Sequence, residues 1–391
     1  MRAPQYRCCA RQVQSQIVDL LCDRLHLIDF SPCCSAGQLL SAMLLAAVHC
    51  VSLSAAAVLR SRGPCRETLR QAWRATLPDY DRLQRQLPGV LRGSLPRGLR
   101  KRQRQRRRYP MALDLHLVPY YKRQQAVPVP VRKGKRLEGT AYSHQYATVS
   151  LLRKGQYYVV AQTPYVPGED LAELVRRLLR QAAANGFAPR YVLMDRSFWS
   201  ADVFRYLQRA RYPFLLPVLG RGKRPDKPGG PTGTQQFLHG LRRSGFYRYT
   251  VRNRQGQGAT VTIVVHRRNH AGRKTKHGRY TWAYGLWRVK LSSVVWVRES
   301  YRRRFRIESS YRLLEEARGR TSSRDAGVRL WYVVLALLLV NAWLQARREE
   351  SRQGRDSEGC WANRLYVVIG QILAEQRQHR QRAARAAEQR R

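Results

Sequence analysis

The chain has 391 residues, 43% of them apolar, and its 74 Lys and Arg residues outnumber its 25 Asp and Glu residues, which gives a formal charge of +49. A chain of this length divides into several structural units, and this much positive charge repels itself unless a polyanion neutralises it. The composition favours a nucleic-acid-binding protein. It argues against a membrane-surface role, because the charge is spread along the whole chain and not gathered on one amphipathic helix.

The apolar stretches and the cysteines indicate a protein of the cytoplasm. The uncharged stretch Leu330–Leu344 is shorter than the ~20 residues of a membrane span and contains Asn341, so we expect a buried core helix. The eight Cys residues form no CxxC pair, and no His lies at zinc-finger spacing. We interpret them as reduced core thiols, and the N-terminus lacks a signal pattern.

Residues 1–95 are predicted to be a helical DNA-binding domain. A turn at Gly63 and Pro64 separates a short helix, Ala55–Arg60, from a basic helix, Cys65–Ala75. Helix, glycine turn and basic helix is the order of a helix-turn-helix motif, and an ordinary helical hairpin fits the same residues about as well. The candidate DNA-binding residues on the basic helix are Arg66, Arg70 and Arg74.

Residues 96–110 are predicted to be a basic linker. Eight cations lie within the twelve residues from Arg97 to Arg108. Such a run is typical of a solvated connection between domains, and it would also follow a DNA backbone.

From residue 111 the periodicity changes to that of strands. The segment Met111–Tyr121 is a predicted strand that contains a single acid, Asp114, and an acid inside an apolar strand is costly unless it is paired or binds a metal. A second acid, Asp195, stands at the end of a later strand. The predicted elements after the first strand are the hairpin strands Tyr142–Leu152 and Gln156–Thr163, the helix Asp170–Ala184, the strand Tyr191–Met194, the helix Ala201–Arg209 and the strand Phe214–Leu219.

This mixed order of strands and helices predicts an α/β fold with an RNase H-like mixed-sheet catalytic core, whose first part is residues 111–219. The two acids support that prediction, because the first and fourth strands are neighbours in such a core. Residues 220–298 are predicted to be a β-rich insertion, residues 299–345 the C-terminal helices of the core, and residues 346–391 a basic tail. The predicted strands of the insertion are Phe246–Arg252, Ala259–His266, Tyr280–Val289 and Ser293–Val297.

The segment Tyr301–Arg312 is predicted to be a helix with one mixed face. Tyr301, Arg304 and Glu308 fall with Arg312 within an arc of about 100°. One interpretation is a solvated surface on which Glu308 pairs with Arg304 or Arg312. The other is a metal ligand beside a row of phosphate-binding cations, which requires further carboxylates from the strands.

Asp114, Asp195 and Glu308 are the candidate catalytic and metal-binding residues. Two-metal phosphoryl transfer needs several carboxylates around two hard cations about 4 Å apart. Two acids on adjacent strands and one on a covering helix satisfy that need. Taken singly, Asp195 could cap the helix that follows it, and Asp114 could be a strand-edge acid.

The segments LDLHLVPYY, VLMDRSFWSADVF, YRRRFRIESSYR and SSRDAGVRLWYVVLALLLVNAW resemble the DDE transposases of bacterial and archaeal insertion sequences, over roughly residues 36–345. The most specific match is the Tyr-x2-Arg-x3-Glu signature, formed by Tyr301, Arg304 and Glu308. The resemblance implies that the three acids bind two Mg²⁺ ions, with Mn²⁺ as a substitute, and that Tyr301 and Arg304 contact DNA phosphates. Glu315 stands where the family often has Lys, so Arg312 is expected to supply that contact.

The resemblance implies a transposase that cleaves DNA at the ends of its element and joins the freed 3′-hydroxyl to target DNA. The expected partner is double-stranded DNA, bound by a homodimer or higher oligomer on the nucleoid, in the cytoplasm of a prokaryote. Two alternatives remain open. One is a catalytically silent DNA-binding protein derived from a transposase, and the other is an RNase H-fold nuclease without strand transfer.

Overall fold

The computed structural model of the protein has two compact units. One unit contains Met1–Arg104, Gln156–Val160 and Ser309–Arg391, and the other contains Gln105–Gly155 and Ala161–Glu308. The structure describes residues 4–60, 63–103, 108–121, 131–137, 139–153, 156–223, 229–230, 232–241, 243–269, 279–290, 293–302, 304 and 317–352.

The first unit is built mainly of helices. They are α1 (Pro4–Leu25), α2 (Ala36–Val48), α3 (Leu53–Leu59), α4 (Arg66–Thr76), α5 (Tyr80–Gly93), α6 (Arg97–Gln103) and α11 (Ala326–Arg352). Local signals fix where several of them begin. Ser35 and Gln38 form a reciprocal capping box at the start of α2, and the Asp79 side chain accepts from the Arg82 amide at the start of α5.

Helix α11 is the core helix that the apolar stretch predicts. Its residues from Leu330 to Val340 are buried, and it packs against α1, α2 and α5. The segment Ala326–Gln345 of this helix is long and apolar enough to cross a membrane. However, 94% of its apolar 18-residue segment is buried within the protein. Helices α2 and α3 pass the same test only as a pair, and they are bent by 101°. Core burial accounts for the hydropathy of α11.

Two sequence expectations for this unit differ from the structure. The predicted core thiols include Cys33 and Cys65, whose side chains are exposed, whereas Cys34 is buried. The predicted linker, residues 96–110, contains helix α6 and the start of the first strand, so it is not a plain connection. Most of the predicted basic tail, residues 353–391, lies outside the described residues.

The second unit is built on a mixed sheet. Its strands are β1 (Arg108–Tyr120), β2 (Val131–Leu137), β3 (Thr140–Arg153), β4 (Gln156–Pro164, of which residues 161–164 belong to this unit), β5 (Ala188–Leu193), β6 (Phe214–Pro217), β7 (Gly245–Arg252), β8 (Gly258–Asn269) and β9 (Arg279–Trp287). Their order across the sheet is β2-β3-β1-β5-β6-β9-β8-β7, and β4 also pairs with β3. Strand β1 runs antiparallel to β3 and parallel to β5, and β5 runs parallel to β6.

Helices cover this sheet. Helix α7 (Leu171–Ala184) and helix α8 (Ala201–Arg209) each bury one apolar stripe, while α9 (Gly233–Gly240) and α10 (residues 294–302 and 304) belong to the later part of the unit. The prediction of a mixed sheet is confirmed, and so are the strand that contains Asp114 and the strand that ends just before Asp195. The β-rich segment joins the same sheet, because β9 pairs with β6.

The prediction of a strand over Ser293–Val297 is wrong, because these residues begin α10. The error has a local cause. The run Val294–Val295–Trp296–Val297 has strong β propensity, but the Ser293 hydroxyl accepts a hydrogen bond from the Trp296 amide at 3.0 Å and so caps a helix. Strand β2 and helix α9 were not predicted from the sequence.

Candidate active site

Asp114 lies on β1, and Asp195 follows the end of the adjacent parallel strand β5. In the β1–β5 pair, Ala112 stands opposite Leu193, and each aspartate follows two residues further along its own chain. Side chains two residues apart point to the same face of a sheet, and neighbouring strands lie about 4.8 Å apart. The continuation of this register past Leu193 brings the two aspartates close together, and the Asp195 carboxylate raises the pKa of Asp114.

The Asp114 carboxylate is buried and held at both oxygens. Its Oδ1 accepts a hydrogen bond from the Leu115 amide at 2.9 Å, and its Oδ2 accepts one from Arg304 Nη2, also at 2.9 Å. Only 12% of the Asp114 side chain and 4% of the Arg304 side chain are exposed. A buried charge needs a partner of opposite sign, and Arg304 supplies it here.

Asp195 is held differently, at the end of β5. Its Oδ1 accepts a hydrogen bond from the Arg196 amide at 2.6 Å, and the Ser197 hydroxyl lies 3.5 Å from Oδ2. Asp195 thus caps the 3-10 turn Arg196–Phe198, as one interpretation of the sequence expected. Its side chain is half-buried, so capping leaves part of it accessible.

Charge and burial act against each other at this site. Burial raises the pKa of Asp114 from 3.8 to about 6, Arg304 and the Leu115 amide oppose that rise, and the nearby Asp195 carboxylate adds to it. The pKa of the Tyr301 hydroxyl is raised too, first by burial and also by Asp195, against the effect of Arg304. The Asp195 carboxylate raises the pKa of both groups. The two aspartates, Tyr301 and Arg304 therefore form one electrostatic cluster.

Helix α10 brings Tyr301 and Arg304 to the cluster. Arg304 Nη1 donates to the Tyr301 hydroxyl at 3.2 Å, one helical turn away. Val297, Tyr301 and Arg304 follow helical spacing and are all buried, so the tyrosine and the arginine lie on the packed side of α10. Both are predicted from the sequence to contact DNA phosphates. That role stays a prediction, and in this structure the guanidinium is directed at Asp114.

The strand registers explain how the insertion reaches this cluster. Leu193 stands opposite Leu215, and Pro217, two residues further on β6, stands opposite Tyr284 on β9. Tyr284 therefore lies on β9 opposite the last residue of β6. Its ring contacts that of Tyr301, with centroids 5.1 Å apart.

The third predicted carboxylate, Glu308, lies outside the described residues, and so do Arg312 and Glu315. Within the part of the chain that the structure describes, no group of three His, Cys, Asp or Glu side chains is placed to hold a metal ion. The described pair of carboxylates still suits a hard divalent cation, because Mg²⁺ prefers carboxylate oxygens and their charges are only partly compensated by one guanidinium.

The predicted DNA-binding arginines of α4 belong to the other unit. Arg66, Arg70 and Arg74 are all exposed, while Leu69 and Ala72 on the opposite side of the helix are buried. Arg70 also pairs with Glu67 at 3.3 Å, and both side chains are exposed. The arginines thus form an accessible row along one helix face.

The ion pair between Arg304 and Asp114 and the contribution of Tyr284 were not predicted from the sequence. The signal for the ion pair was available, since a buried acid in a chain so poor in acids needs a cation, and Arg304 continues the buried spacing that Val297 and Tyr301 begin. Tyr284 carries no comparable signal, because its position depends on the pairing of β9 with β6 across distant parts of the chain.

No protein-family model and no curated protein matches this sequence. Among solved structures, the fold is similar to that of piggyBac transposase, determined by cryo-EM as a synaptic complex with hairpin DNA. The similarity has a TM-score of 0.52 and 12% sequence identity, and it covers 94% of this chain and 81% of that chain. The protein has a transposase-type fold.

Proposed function

We propose that this protein is a DNA transposase that cleaves DNA at the ends of its element and transfers the freed strands into target DNA. The observation that carries the proposal is the proximity of Asp114 on β1 to Asp195, which follows the end of the adjacent parallel strand β5. The fold that this chain shares with a transposase supports it. So does the sequence signature that Tyr301, Arg304 and Glu308 form after the β-rich segment.

The proposed catalytic core is RNase H-like. In favour of this, β1 lies at the centre of the sheet, antiparallel to β3 and parallel to β5, which in turn runs parallel to β6. The β-rich segment that interrupts the core before α10 extends the same sheet. We place residues 1–95 as the DNA-binding domain ahead of this core.

The proposed substrate is double-stranded DNA. A formal charge of +49 calls for a polyanion, and the similar transposase structure contains DNA. We further propose that the protein acts as a homodimer or higher oligomer on DNA, in the prokaryotic cytoplasm.

The proposed metal ligands are Asp114, Asp195 and Glu308, with two Mg²⁺ ions as the cofactor and Mn²⁺ as a substitute. When bound, the ions would supply Lewis-acid stabilisation of the charge that develops on the phosphate. The protein's own part is to orient the carboxylates. The Leu115 amide fixes one oxygen of Asp114, and the Arg196 amide fixes one oxygen of Asp195. Burial of Asp114 keeps water away from one side of the site.

The test uses purified full-length protein and a labelled duplex that carries the inverted repeats flanking the coding region. Nicking at the repeat ends that requires Mg²⁺, followed by joining of pre-cut ends to a second duplex, is the expected result. Asp114→Asn, Asp195→Asn and Glu308→Gln should each abolish both steps and retain end binding. Pairs of these changes should cost little more than single ones.

The exposed Asp81 on α5 provides a matched control, and Asp81→Asn should leave cleavage unchanged. If the wild-type protein binds ends but never nicks them, it is a silent DNA-binding protein. If it nicks but never joins pre-cut ends, it is a nuclease without strand transfer. A Glu308→Gln protein that nicks at the wild-type rate would remove Glu308 from the proposed site.

A further inference from the structure

The Asp114 carboxylate already has a cation. Arg304 Nη2 donates to Asp114 Oδ2 at 2.9 Å, and both side chains are almost fully buried. Arg304 is itself held in place, because it donates to the Tyr301 hydroxyl, whose ring packs on Tyr284. The guanidinium is therefore held by two hydrogen bonds, one to the Asp114 carboxylate and one to the Tyr301 hydroxyl.

A guanidinium and a divalent cation cannot use this carboxylate independently. They carry charges of the same sign, and at a buried site their repulsion is weakly screened. The Leu115 amide already occupies one direction at Oδ1, so a cation that approaches Asp114 meets Arg304 at the other oxygen. Occupation of Asp114 by a metal ion opposes the ion pair, and the ion pair opposes the metal ion.

We propose that Arg304 competes with the divalent ion for Asp114, and that a DNA phosphate releases this competition by drawing the guanidinium away. The proposal rests on the proposed function, in which Asp114 is a metal ligand. It makes metal binding dependent on DNA, so that the site takes up its metal fully only when substrate is present.

Phosphate is the anion that fits the exchange. Guanidinium groups form bidentate, charge-assisted hydrogen bonds with phosphates, so a phosphate can replace the carboxylate without leaving the cation unpaired. Helix α10 also carries Arg298, which is half-buried, and Arg302, which is exposed. A polyanion that approaches α10 therefore meets further positive charge beside Arg304.

If Arg304 instead positions Asp114, its loss should change the metal affinity in the opposite direction. If the ion pair served to orient Asp114 for metal binding, loss of Arg304 would weaken the metal site, typically 10–100-fold. If Arg304 is a competitor, its loss tightens the metal site in the absence of DNA. The direction of the change in metal affinity separates the two roles.

The experiment measures Mn²⁺ binding to the full-length, DNA-free protein by electron paramagnetic resonance of the free ion. Arg304→Gln should tighten Mn²⁺ binding by about tenfold or more, because it removes a positive charge next to the ligand. Arg304→Lys keeps the charge and should shift the affinity much less. Arg302→Gln makes the same charge change at an exposed position on α10 and should shift it by less than about twofold.

In a second experiment, Mn²⁺ binding is measured in the presence of a short DNA duplex, with the wild-type protein and with Asp114→Asn. The Mn²⁺ bound in the Asp114→Asn sample corrects for ions that the DNA itself binds. DNA should tighten Mn²⁺ binding in the wild-type protein, and this gain should vanish in Arg304→Gln. Unchanged or weaker Mn²⁺ binding by a folded Arg304→Gln protein overturns the proposal. If that variant does not fold, absence of the DNA effect in the wild-type protein overturns it. These measurements follow Mn²⁺ affinity and do not depend on DNA cleavage. Failure of the proposed transposase reaction would appear only in the nicking and joining assays.

Discussion

Arg304 lies 2.9 Å from the Asp114 carboxylate, yet the pKa of Asp114 is about 6, well above its ordinary value of 3.8. Burial of the carboxylate outweighs the attraction of the guanidinium, and the neighbouring Asp195 adds to the rise. The folded protein therefore holds a proton on Asp114 more tightly than the unfolded chain does. Because of this difference in pKa, the stability of the protein depends on pH.

Ionisation of Asp114 should destabilise the fold. Because its folded pKa exceeds the unfolded value, stability contributed by the protonated form is present below about pH 4 and is lost as pH rises to about 6, a change of about 3 kcal/mol. Urea unfolding from pH 4 to pH 7 should show this slope in the wild-type protein, and Asp114→Asn should remove it. Equal slopes in the two proteins would mean that Asp114 has an ordinary pKa.

Gly285 on β9 should be essential for the position of the Asp195 turn. A Cβ atom at Gly285 would lie 2.4 Å from Cζ3 of the buried Trp199, which ends the turn that Asp195 begins. Gly285→Ala should destabilise the protein by about 1–3 kcal/mol, because the ring must move. It should also slow cleavage, because movement of Trp199 displaces the turn.

Thermal unfolding and the nicking assay check this prediction together. Gly285→Ala combined with Trp199→Phe should regain part of the loss, since the smaller ring leaves room for the methyl group. Gly240→Ala is the control, because a Cβ there meets no atom within 4 Å. A Gly285→Ala protein with wild-type stability and activity would contradict the packing seen here.

Asn341 should be the main polar anchor of the first unit. Its Oδ1 accepts from the Val159 amide at 2.9 Å, and its Nδ2 donates to the Val159 carbonyl at 3.0 Å and to the Ser94 hydroxyl at 2.9 Å. Asn341→Leu keeps the size of the side chain but leaves both backbone groups of Val159 without this partner. The expected cost is about 2–6 kcal/mol.

Hydrogen exchange gives the local measure of this effect. Exchange of the Val159 amide should accelerate in Asn341→Leu, together with a fall in urea resistance. Ser94→Ala removes one of the three bonds and should cost about 1 kcal/mol. If Asn341→Leu were as stable as the wild-type protein, the buried amide would be replaceable by apolar packing.

Local signals in the sequence predict much of this fold. Alternating residues around Asp114, apolar stripes in α7 and α8, and the uncharged run of α11 each have one physical explanation, and the structure contains the corresponding elements. Where two local signals compete, prediction from the sequence fails. Val294, Val295 and Val297 have β-branched side chains that favour a strand, yet Ser293 caps a helix.

The candidate site is only half visible in the sequence. The order of strands predicts that Asp114 and Asp195 are neighbours, because the first and fourth strands are adjacent in an RNase H-like core. Their registry, the ion pair with Arg304 and the contact between Tyr284 and Tyr301 depend on pairings between residues far apart in the chain. Such pairings are set by the packing of the whole unit and leave no periodic pattern in one sequence.

The basic row on α4 should recognise the ends of the element. Arg66, Arg70 and Arg74 are exposed along one helix face, so they are free to reach base edges or phosphates. Arg70 pairs with Glu67, but an exposed ion pair stabilises a protein by at most about 1 kcal/mol. Contact with a DNA phosphate can therefore replace it. Alanine at Arg66 and Arg70 together should lower affinity for end-bearing duplex more than affinity for random duplex.

Fluorescence anisotropy at several salt concentrations tests the assignment. Affinity for any duplex should fall by about 10³-fold or more between 50 and 200 mM salt if ~6 or more phosphates are neutralised. Arg92→Ala, at an exposed position on α5, is the control and should affect both duplexes alike. Each lost phosphate contact should lower the salt slope by about 1, whereas a lost base contact should lower affinity for the end sequence without changing the slope. Equal losses on end-bearing and random duplex, with a reduced slope, would make the row on α4 a set of phosphate contacts and assign end recognition to another surface.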